Sequence, residues 1–327
     1  MTILVTGGAG YIGSHFVRKL SMEPNVRIIV VDNFSQGKNN ILKRNNLFYE
    51  EVDLLDSNKL NDIFKKDKID FVVHFAALAS VPDSIARPAE YYKNNIIGGL
   101  NLLACMLENG VKNIIFSSSA SVYGEPVSDL IKEDDPKKPI NPYGYTKLVF
   151  EKILRDYHDA YGMNSISFRY FCAAGCDESG ELREGHNPET HVIPMIIQTI
   201  FGKRKEFFIY GNNFPTPDGT GIRDYIHVND LADAHLLAIK KLADGRPICK
   251  AYNLGINRGY SVMELIDTAK KISGKEVPFQ IKPRRPGDPS TLVADATAAR
   301  TELGWEPKYT DIESIVKSAY ISFMKSV

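Results

Sequence analysis

Short runs of apolar, mostly β-branched residues recur through the first half of the chain, at 3–5, 26–31, 47–52, 70–75, 113–116 and 166–171. Longer stretches with helical spacing lie between them, at 10–22, 57–66, 89–109 and 142–161. Strand-length runs that are apolar throughout rather than alternating are buried on both faces, and their interleaving with helices predicts a parallel sheet covered on both sides. After about residue 175 the pattern loosens, and Pro and Gly become frequent. The elements read there are short, at 206–210, 230–242, 251–254, 262–273 and 277–281, with closing helices at 295–303 and 311–324. The stretch 121–141 is polar and proline-containing. It reads either as a loop over a site or as a solvated connector.

Composition narrows the partners. The 327 residues are 43% hydrophobic and 24% charged, and 40 basic residues balance 40 acidic ones. Such a balance favours neither nucleic acid nor an anionic membrane surface. No apolar run approaches membrane-spanning length, and the chain enters its first strand without a charged leader or cleavage signal. Cys105, Cys172, Cys176 and Cys249 are scattered, and Cys172 and Cys176 lack the C-x-x-C spacing of a redox pair. Reduced thiols and a cytoplasmic location are expected. His186 and His191, with Pro188 between them, make a poor metal frame, and no metal is expected.

The first strand runs into Gly7, Gly8, Gly10 and Gly13. Glycine is needed where backbone approaches a pyrophosphate and where a helix packs closely on a sheet. The helix that follows aims free amides and its positive dipole end at the phosphates. Asp32 ends the second strand, where a carboxylate accepts from ribose hydroxyls and repels a 2′-phosphate. The fold class is therefore α/β: a doubly wound, Rossmann-type sheet that holds NAD in preference to NADP. We expect an NAD-binding domain over 1–174 and a smaller mixed α/β substrate domain over 175–327, with an interleaved boundary. Asp53 suits an adenine contact or caps the helix near Ser57. Phe75, Ala76 and Ala77 offer small residues where the cofactor passes, or simply tight packing.

Tyr143 and Lys147 stand four apart on a predicted helix that Pro142 opens, so they share one face. A free tyrosine has a pKa of about 10, and a useful base near neutrality needs roughly three units less, or about 4 kcal/mol. A nearby ammonium and a cationic nicotinamide both favour the phenolate. Ser119 lies at the carboxyl end of the fifth strand, where doubly wound sheets bind ligands. Its hydroxyl can hold the reacting oxygen. Ser117 and Ser118 have the same chemistry, and strand-end serines also satisfy backbone groups.

These residues make the chain similar to the extended short-chain dehydrogenase/reductases, and within them to the UDP-glucose 4-epimerase family. The resemblance covers nearly the whole chain. It is carried by TGGAGYIGSH at 6–15, VDNFS at 31–35, HFAA at 74–77, YYKNN at 91–95, FSSSASVYG at 116–124 and NPYGYTK at 141–147. Further on come RYFCAAG at 169–175, DGTGIRDYIHVNDLADAH at 218–235, YNLG at 252–255, PRRPGD at 283–288 and LGWEP at 303–307. It implies interconversion of UDP-glucose and UDP-galactose with NAD kept bound. Tyr143 takes the proton of the 4-hydroxyl, hydride leaves carbon 4, and the 4-keto sugar turns about its diphosphate link before re-reduction.

The resemblance also implies cofactor contacts from Tyr11, Ile12, Asn33, Ser35 and Leu54, and from Asn94, Ser117 and Phe171. On the substrate side it implies that Arg223 and Arg285 clamp the diphosphate, Asp288 holds a ribose and Tyr210 stacks on uracil. Cys172, His191, Val192 and Leu292 fall at substrate-contacting positions. Several depart from the common pattern. Cys172 replaces an asparagine, Ala79 a lysine, and His191-Val192 an Asn-Leu. Leu292 stands where room around the sugar's 2-substituent is limited, which leaves N-acetylated sugars open. A homodimer through the helices at 89–109 and 142–161 is implied, with a monomer as the alternative. Competing activities are another nucleotide-sugar epimerase, a dehydratase or decarboxylase, and a non-enzymatic NAD-binding module. Elimination needs an acid after the serine run, and Ser119-Ala120-Ser121 has none.

Overall fold

Each apolar run in the first half becomes a strand because its side chains find cover on both faces. The structure, a computed structural model, describes residues 1–36, 40–177, 179–182 and 189–325. In chain order it begins β1 (Thr2–Thr6), α1 (Tyr11–Leu20), β2 (Arg27–Asp32), β3 (Leu47–Glu51), α2 (Ser57–Lys66), β4 (Phe71–His74), α3 (Val81–Ala86), α4 (Pro88–Tyr92) and α5 (Gly98–Glu108). There follow β5 (Asn113–Ser119), α6 (Pro142–Tyr161), β6 (Asn164–Tyr170), β7 (Cys172–Ala174), α7 (Val192–Ile200), β8 (Phe207–Tyr210), β9 (Ile222–His227), α8 (Val228–Ala243) and β10 (Cys249–Leu254). The chain closes with β11 (Gly259–Ser261), α9 (Val262–Ser273), β12 (Phe279–Lys282), β13 (Thr291–Leu292), α10 (Thr297–Leu303) and α11 (Ile312–Lys325).

The main sheet has seven strands in the order β10-β6-β5-β4-β1-β2-β3, all paired in parallel. Its two faces are visible in the alternation of β1 and β2. Ile3, Val5, Ile28 and Val30 enter one core with α1 and α8, while Leu4 and Ile29 enter the other with α2, α5 and α6. The strand order reverses between β1 and β4, so a crevice opens there beyond the strands' carboxyl ends. A smaller sheet, β11-β9-β13 with β7 on β9, and a two-stranded pair, β12-β8, build the second lobe.

Four features differ from the sequence expectations. β5 runs three residues past the apolar run at 113–116, so the whole serine run is strand and Ser119 is its last residue, the strand end expected for it. The helix expected over 89–109 is broken by a wide π turn at Lys93–Ile97. Its side chains do other work, since Asn95 bonds Leu78 on both N–H and C=O and reaches Thr146 on α6. β10 crosses back from the second half to become an edge of the main sheet. Finally, β9 and α7 are not among the expected elements, because Arg223 and Asp224 interrupt the apolar run of β9 and α7 is apolar nearly all round. The ends of α6 follow from local chemistry: Asn141 caps the Gly144 amide at 2.8 Å, Pro142 takes the first turn, and Gly162 ends the helix at φ +64°.

The first turn is where glycine is indispensable. A Cβ on Gly13 would run into the Gly7 carbonyl oxygen and the Gly8 Cα, both fixed backbone. Gly13→Ala should therefore lift α1 from the turn and cost about 1–3 kcal/mol. A thermal melt should show the loss; an unchanged Tm would mean that the turn yields freely.

Candidate active site

At the sheet's crevice, Gly7 donates its N–H to Val31 at 2.9 Å, and Gly10 turns back onto the Gly7 carbonyl at 3.1 Å. A Cβ on Gly7 would lie 2.5 Å from the Ala76 nitrogen, so Gly7 presses directly on the segment after β4. Phe75 and Ala76 both donate to the Thr6 carbonyl. Tyr11 faces inward and donates to the Gly175 carbonyl at 2.6 Å, while Ile12 is half-buried. Asp32 ends β2 and accepts from the Ala9 amide at 3.0 Å and the Phe34 amide at 2.9 Å. Burial raises its pKa and the amides oppose that rise.

Asn33 donates to Asp53 at 3.0 Å and accepts from the Ser35 amide. Asp53 does not cap α2. Its carboxylate takes the Leu55 amide, and Asp56 is the cap. Leu54 packs on the core beneath α5, and Asn94 donates to Asn95. In the segment after β4, Ala77 is half-buried and Ala79 is exposed. A cradle that a side chain on Gly7 or Gly13 would fill, a helix start beside it and a carboxylate at the end of β2 together fit a dinucleotide.

Beside the crevice, α6 presents Tyr143 and Lys147 to the end of β5. Lys147 is buried and donates to the Ser117 carbonyl at 2.7 Å, with its ammonium 5.7 Å from the Tyr143 ring centre. The Ser119 hydroxyl bonds Tyr143 and accepts the Ser121 amide at 3.1 Å. One expectation is corrected here. The phenol is not acidified by its own chain: burial pushes Tyr143 up to about 12, with Ser119 opposing. Burial also pushes Lys147 down to about 7, with Glu151 opposing. Desolvation is the largest influence on both groups, so the phenolate needs further positive charge.

A cavity of about 210 Å³ opens beyond Ser119. Ser119, Phe171 and Cys172 line one side and Arg223, Arg285, Asp288 and Leu292 the other. β9 brings the second group together with Cys172: Arg223 lies opposite Leu292 of β13, and Cys172 lies opposite Tyr225. Arg223 is paired with Asp288 and also donates to the Pro289 carbonyl at 2.7 Å. Tyr210 ends β8 with its ring face 3.6 Å from the Arg285 guanidinium carbon. That face is therefore covered by the arginine expected to hold the diphosphate. His191 caps the start of α7, bonded to Glu189 at 2.8 Å, and Val192 packs on the large core. The loop 121–141 is no solvated connector. Its ends, Ser121 and Asn141, line this cavity, and Ile131 and Tyr123 are buried.

Some residues of the site were not read from the sequence. Tyr170 lines the same cavity and donates to His235 Nε2 at 2.7 Å, since His235 Nδ1 donates to the Leu231 carbonyl. Glu151 and Arg169 form a buried ion pair at 2.7 Å behind Lys147. Glu151 stands four residues past Lys147, a spacing that was the available signal. A larger cavity, about 520 Å³ between β8, β12 and α9, contains none of the predicted site residues. Among the described residues, His15, Cys176 and Asp177 bring ligand-type atoms within 4.8 Å. They are knit to the protein instead. His15 Nε2 takes the Asp177 amide, Cys176 donates to Leu182, and Arg18 stands 3.6 Å from Asp177. His186 lies outside the described residues.

The model of the NAD dependent epimerase/dehydratase family matches residues 3–255. A UDP-glucose 4-epimerase of Lacticaseibacillus casei is 46% identical over 320 residues, covering 98% of this chain and 96% of that protein. Among solved structures, the UDP-glucose 4-epimerase from Bifidobacterium longum in complex with NAD+ and UDP superposes with a TM-score of 0.93 at 40% identity. That match covers 99% of this chain and 98% of the other. The UDP-Glc/GlcNAc 4-epimerase of Campylobacter jejuni gives 0.85 at 39% identity, with 99% of each chain covered.

Asp32 is the carboxylate that would face an adenosine ribose. Asp32→Ala should weaken NAD binding and relax the rejection of NADP. Titration with both dinucleotides checks this, and an unchanged preference would remove Asp32 from the ribose role.

Proposed function

The chain belongs to the NAD dependent epimerase/dehydratase family, and from that premise we propose that it interconverts UDP-glucose and UDP-galactose at carbon 4 of the hexose. One observation carries the reading. Ser119, bonded to the Tyr143 hydroxyl at the end of β5, Arg223 on β9 and Arg285 in the segment before β13 line one cavity although they come from separate parts of the fold. A base and a diphosphate clamp therefore face the same space.

When bound, NAD supplies the hydride acceptor and then the hydride donor. Tyr143 removes the 4-hydroxyl proton and later returns it, and Ser119 holds the sugar oxygen between the two events. Lys147 contributes the positive charge that the phenolate requires, supplemented by the oxidised ring. The Ser117 carbonyl keeps the lysine in place at 2.7 Å.

A sugar that must present both faces needs a firm hold on its nucleotide and a weak hold on itself. The firm part is Arg223, Arg285 and Asp288. Arg223 exchanges its bonds to Asp288 and Pro289 for diphosphate oxygens, which offer a guanidinium the same charge-assisted, two-pronged bonding as a carboxylate. Tyr210 stacks on uracil once Arg285 swings from its face to the diphosphate. The weak part is Ala120, Phe171, Cys172 and Leu292, which give the hexose apolar or weakly polar walls. His191 and Val192 stand at the uridine end. Among the described residues the carboxylate lining the cavity is Asp288, which this reading gives to the ribose and not to elimination.

We infer that residues 1–174 hold the cofactor and 175–327 the nucleotide sugar, with β10 returned to the first unit. Exposed Ile97, Tyr145 and Val149 on the outer side of the broken helix and α6 support a homodimer. No helix among the described residues is long and apolar enough to cross a membrane. The scattered cysteines support a cytoplasmic location.

Purified protein given UDP-galactose without added cofactor should form UDP-glucose with no net NADH. A dehydrated keto sugar would favour elimination instead, and binding without turnover a non-enzymatic role. UDP-N-acetylgalactosamine in parallel reads the room beside Leu292. Tyr143→Phe should lower turnover by about 10²–10⁴ while UDP binding, followed by calorimetry, stays near wild type. Wild-type turnover in this variant would remove Tyr143 as the base.

A further inference from the structure

Behind the reaction centre lies a buried cluster of charge that the steps above do not use. Tyr143, Lys147 and Glu151 follow one another at four-residue spacing on α6 and so share a face. Glu151 Oε1 accepts the Ser118 hydroxyl at 2.5 Å and Arg169 Nε at 3.0 Å, and Oε2 accepts Arg169 Nη2 at 2.7 Å. Arg169, on β6, continues to the Tyr123 hydroxyl and the Glu133 carbonyl, each at 2.8 Å. The side chains of Glu151 and Arg169 are 10% and 4% exposed. We propose that Glu151 is a positioning residue for the Tyr143–Lys147 pair: its carboxylate locks the serine strand end to α6 and is the negative charge that Lys147 faces.

The locking follows from sequence neighbours. Ser118 is held by Glu151, Ser117 on one side gives its carbonyl to Lys147, and Ser119 on the other gives its hydroxyl to Tyr143. Three consecutive residues of β5 are therefore matched to three consecutive turns of α6. A carboxylate suits the last position because its two oxygens accept the guanidinium fork and the hydroxyl together, whereas an amide has a single acceptor oxygen. The middle serine of the run acquires a role that neither cofactor nor substrate demands of it.

The electrostatic part follows from what surrounds Lys147. From β5 come the Ser117 carbonyl and the Phe116 ring, 4.9 Å away. From β4 comes His74, which burial holds neutral with a pKa of about 3. From α6 come Tyr143 and Glu151, and from β6 Arg169 stands on the far side of Glu151. Glu151 is the group that opposes the effect of burial on the lysine. Replacing it by glutamine removes that charge and leaves Arg169 unneutralised. Both changes make Lys147 lose its proton at lower pH, and the phenolate then needs higher pH to form.

The turnover arm of the test rests on the epimerase reading, but the titration arm does not. Selectively labelled lysine side chains in the purified full-length protein are titrated by NMR, with Lys147→Met to assign the signal. Glu151→Gln should lower the Lys147 midpoint by about one pH unit, and Ser118→Ala should leave it in place. In turnover, Glu151→Gln should move the acid limb of the pH profile upward by a similar amount. Ser118→Ala should reduce kcat several-fold with the limb unmoved, and Glu151→Asp should restore most of the limb. A Glu151→Gln protein that keeps both the midpoint and the limb, and loses only thermal stability, overturns the proposal. Should that variant not fold, Glu151→Asp decides: a smaller downward shift of the Lys147 midpoint supports the proposal, and no shift overturns it. An inactive wild type would sink the epimerase reading while leaving the titration result intact.

Discussion

An ammonium placed where water cannot reach it must be held by the protein, and the Lys147 bond to the Ser117 carbonyl is the constraint on which the site turns. It requires that β5 end beneath α6 in one register, that the helix begin at Asn141 and Pro142, and that its lower turns be anchored on β6 through Arg169. Burial works against both members of the reacting pair, raising the phenol and lowering the lysine. Both shifts favour the uncharged forms, and further positive charge in the crevice would favour the phenolate.

Two sheets divide the work. The parallel sheet ends at a crevice built for a long anionic ligand, with glycine backbone, amides and one carboxylate. The smaller sheet brings Arg223 to the same space on β9, and the segment between β12 and β13 adds Arg285 and Asp288. Neither sheet makes the cavity alone, since Ser119 and Phe171 belong to one wall and Arg223 and Leu292 to the other. In the proposed function, the strong polar groups Arg223, Arg285 and Asp288 take the nucleotide, and small or apolar residues are left to wall the hexose. A substrate held by one end and free at the other can turn over without leaving.

Much of the first lobe was legible in the sequence. Strand runs buried on both faces, the glycine turn, Asp32 and the Tyr143–Lys147 spacing are local patterns, and each element appears within a few residues of its expected place. The expected helix at 89–109 did not appear whole, because Asn95 is needed sideways, between Leu78 and Thr146, and helical periodicity carries no trace of such a demand. Asp53 was ambiguous because a turn aspartate and a cap aspartate look alike until the amide partner is seen.

Local order thus determined the elements of the nucleotide fold and the chemistry of its reacting pair, because strand, helix and turn preferences act over a few neighbouring residues. Only tertiary structure decided how far desolvation shifts Tyr143 and Lys147, that Arg169 meets Glu151 behind them, that β10 returns to the first sheet, and that Tyr210 lies under Arg285. Those properties depend on residues tens to hundreds of positions apart meeting in a space closed to water. No pattern along the chain encodes that distance.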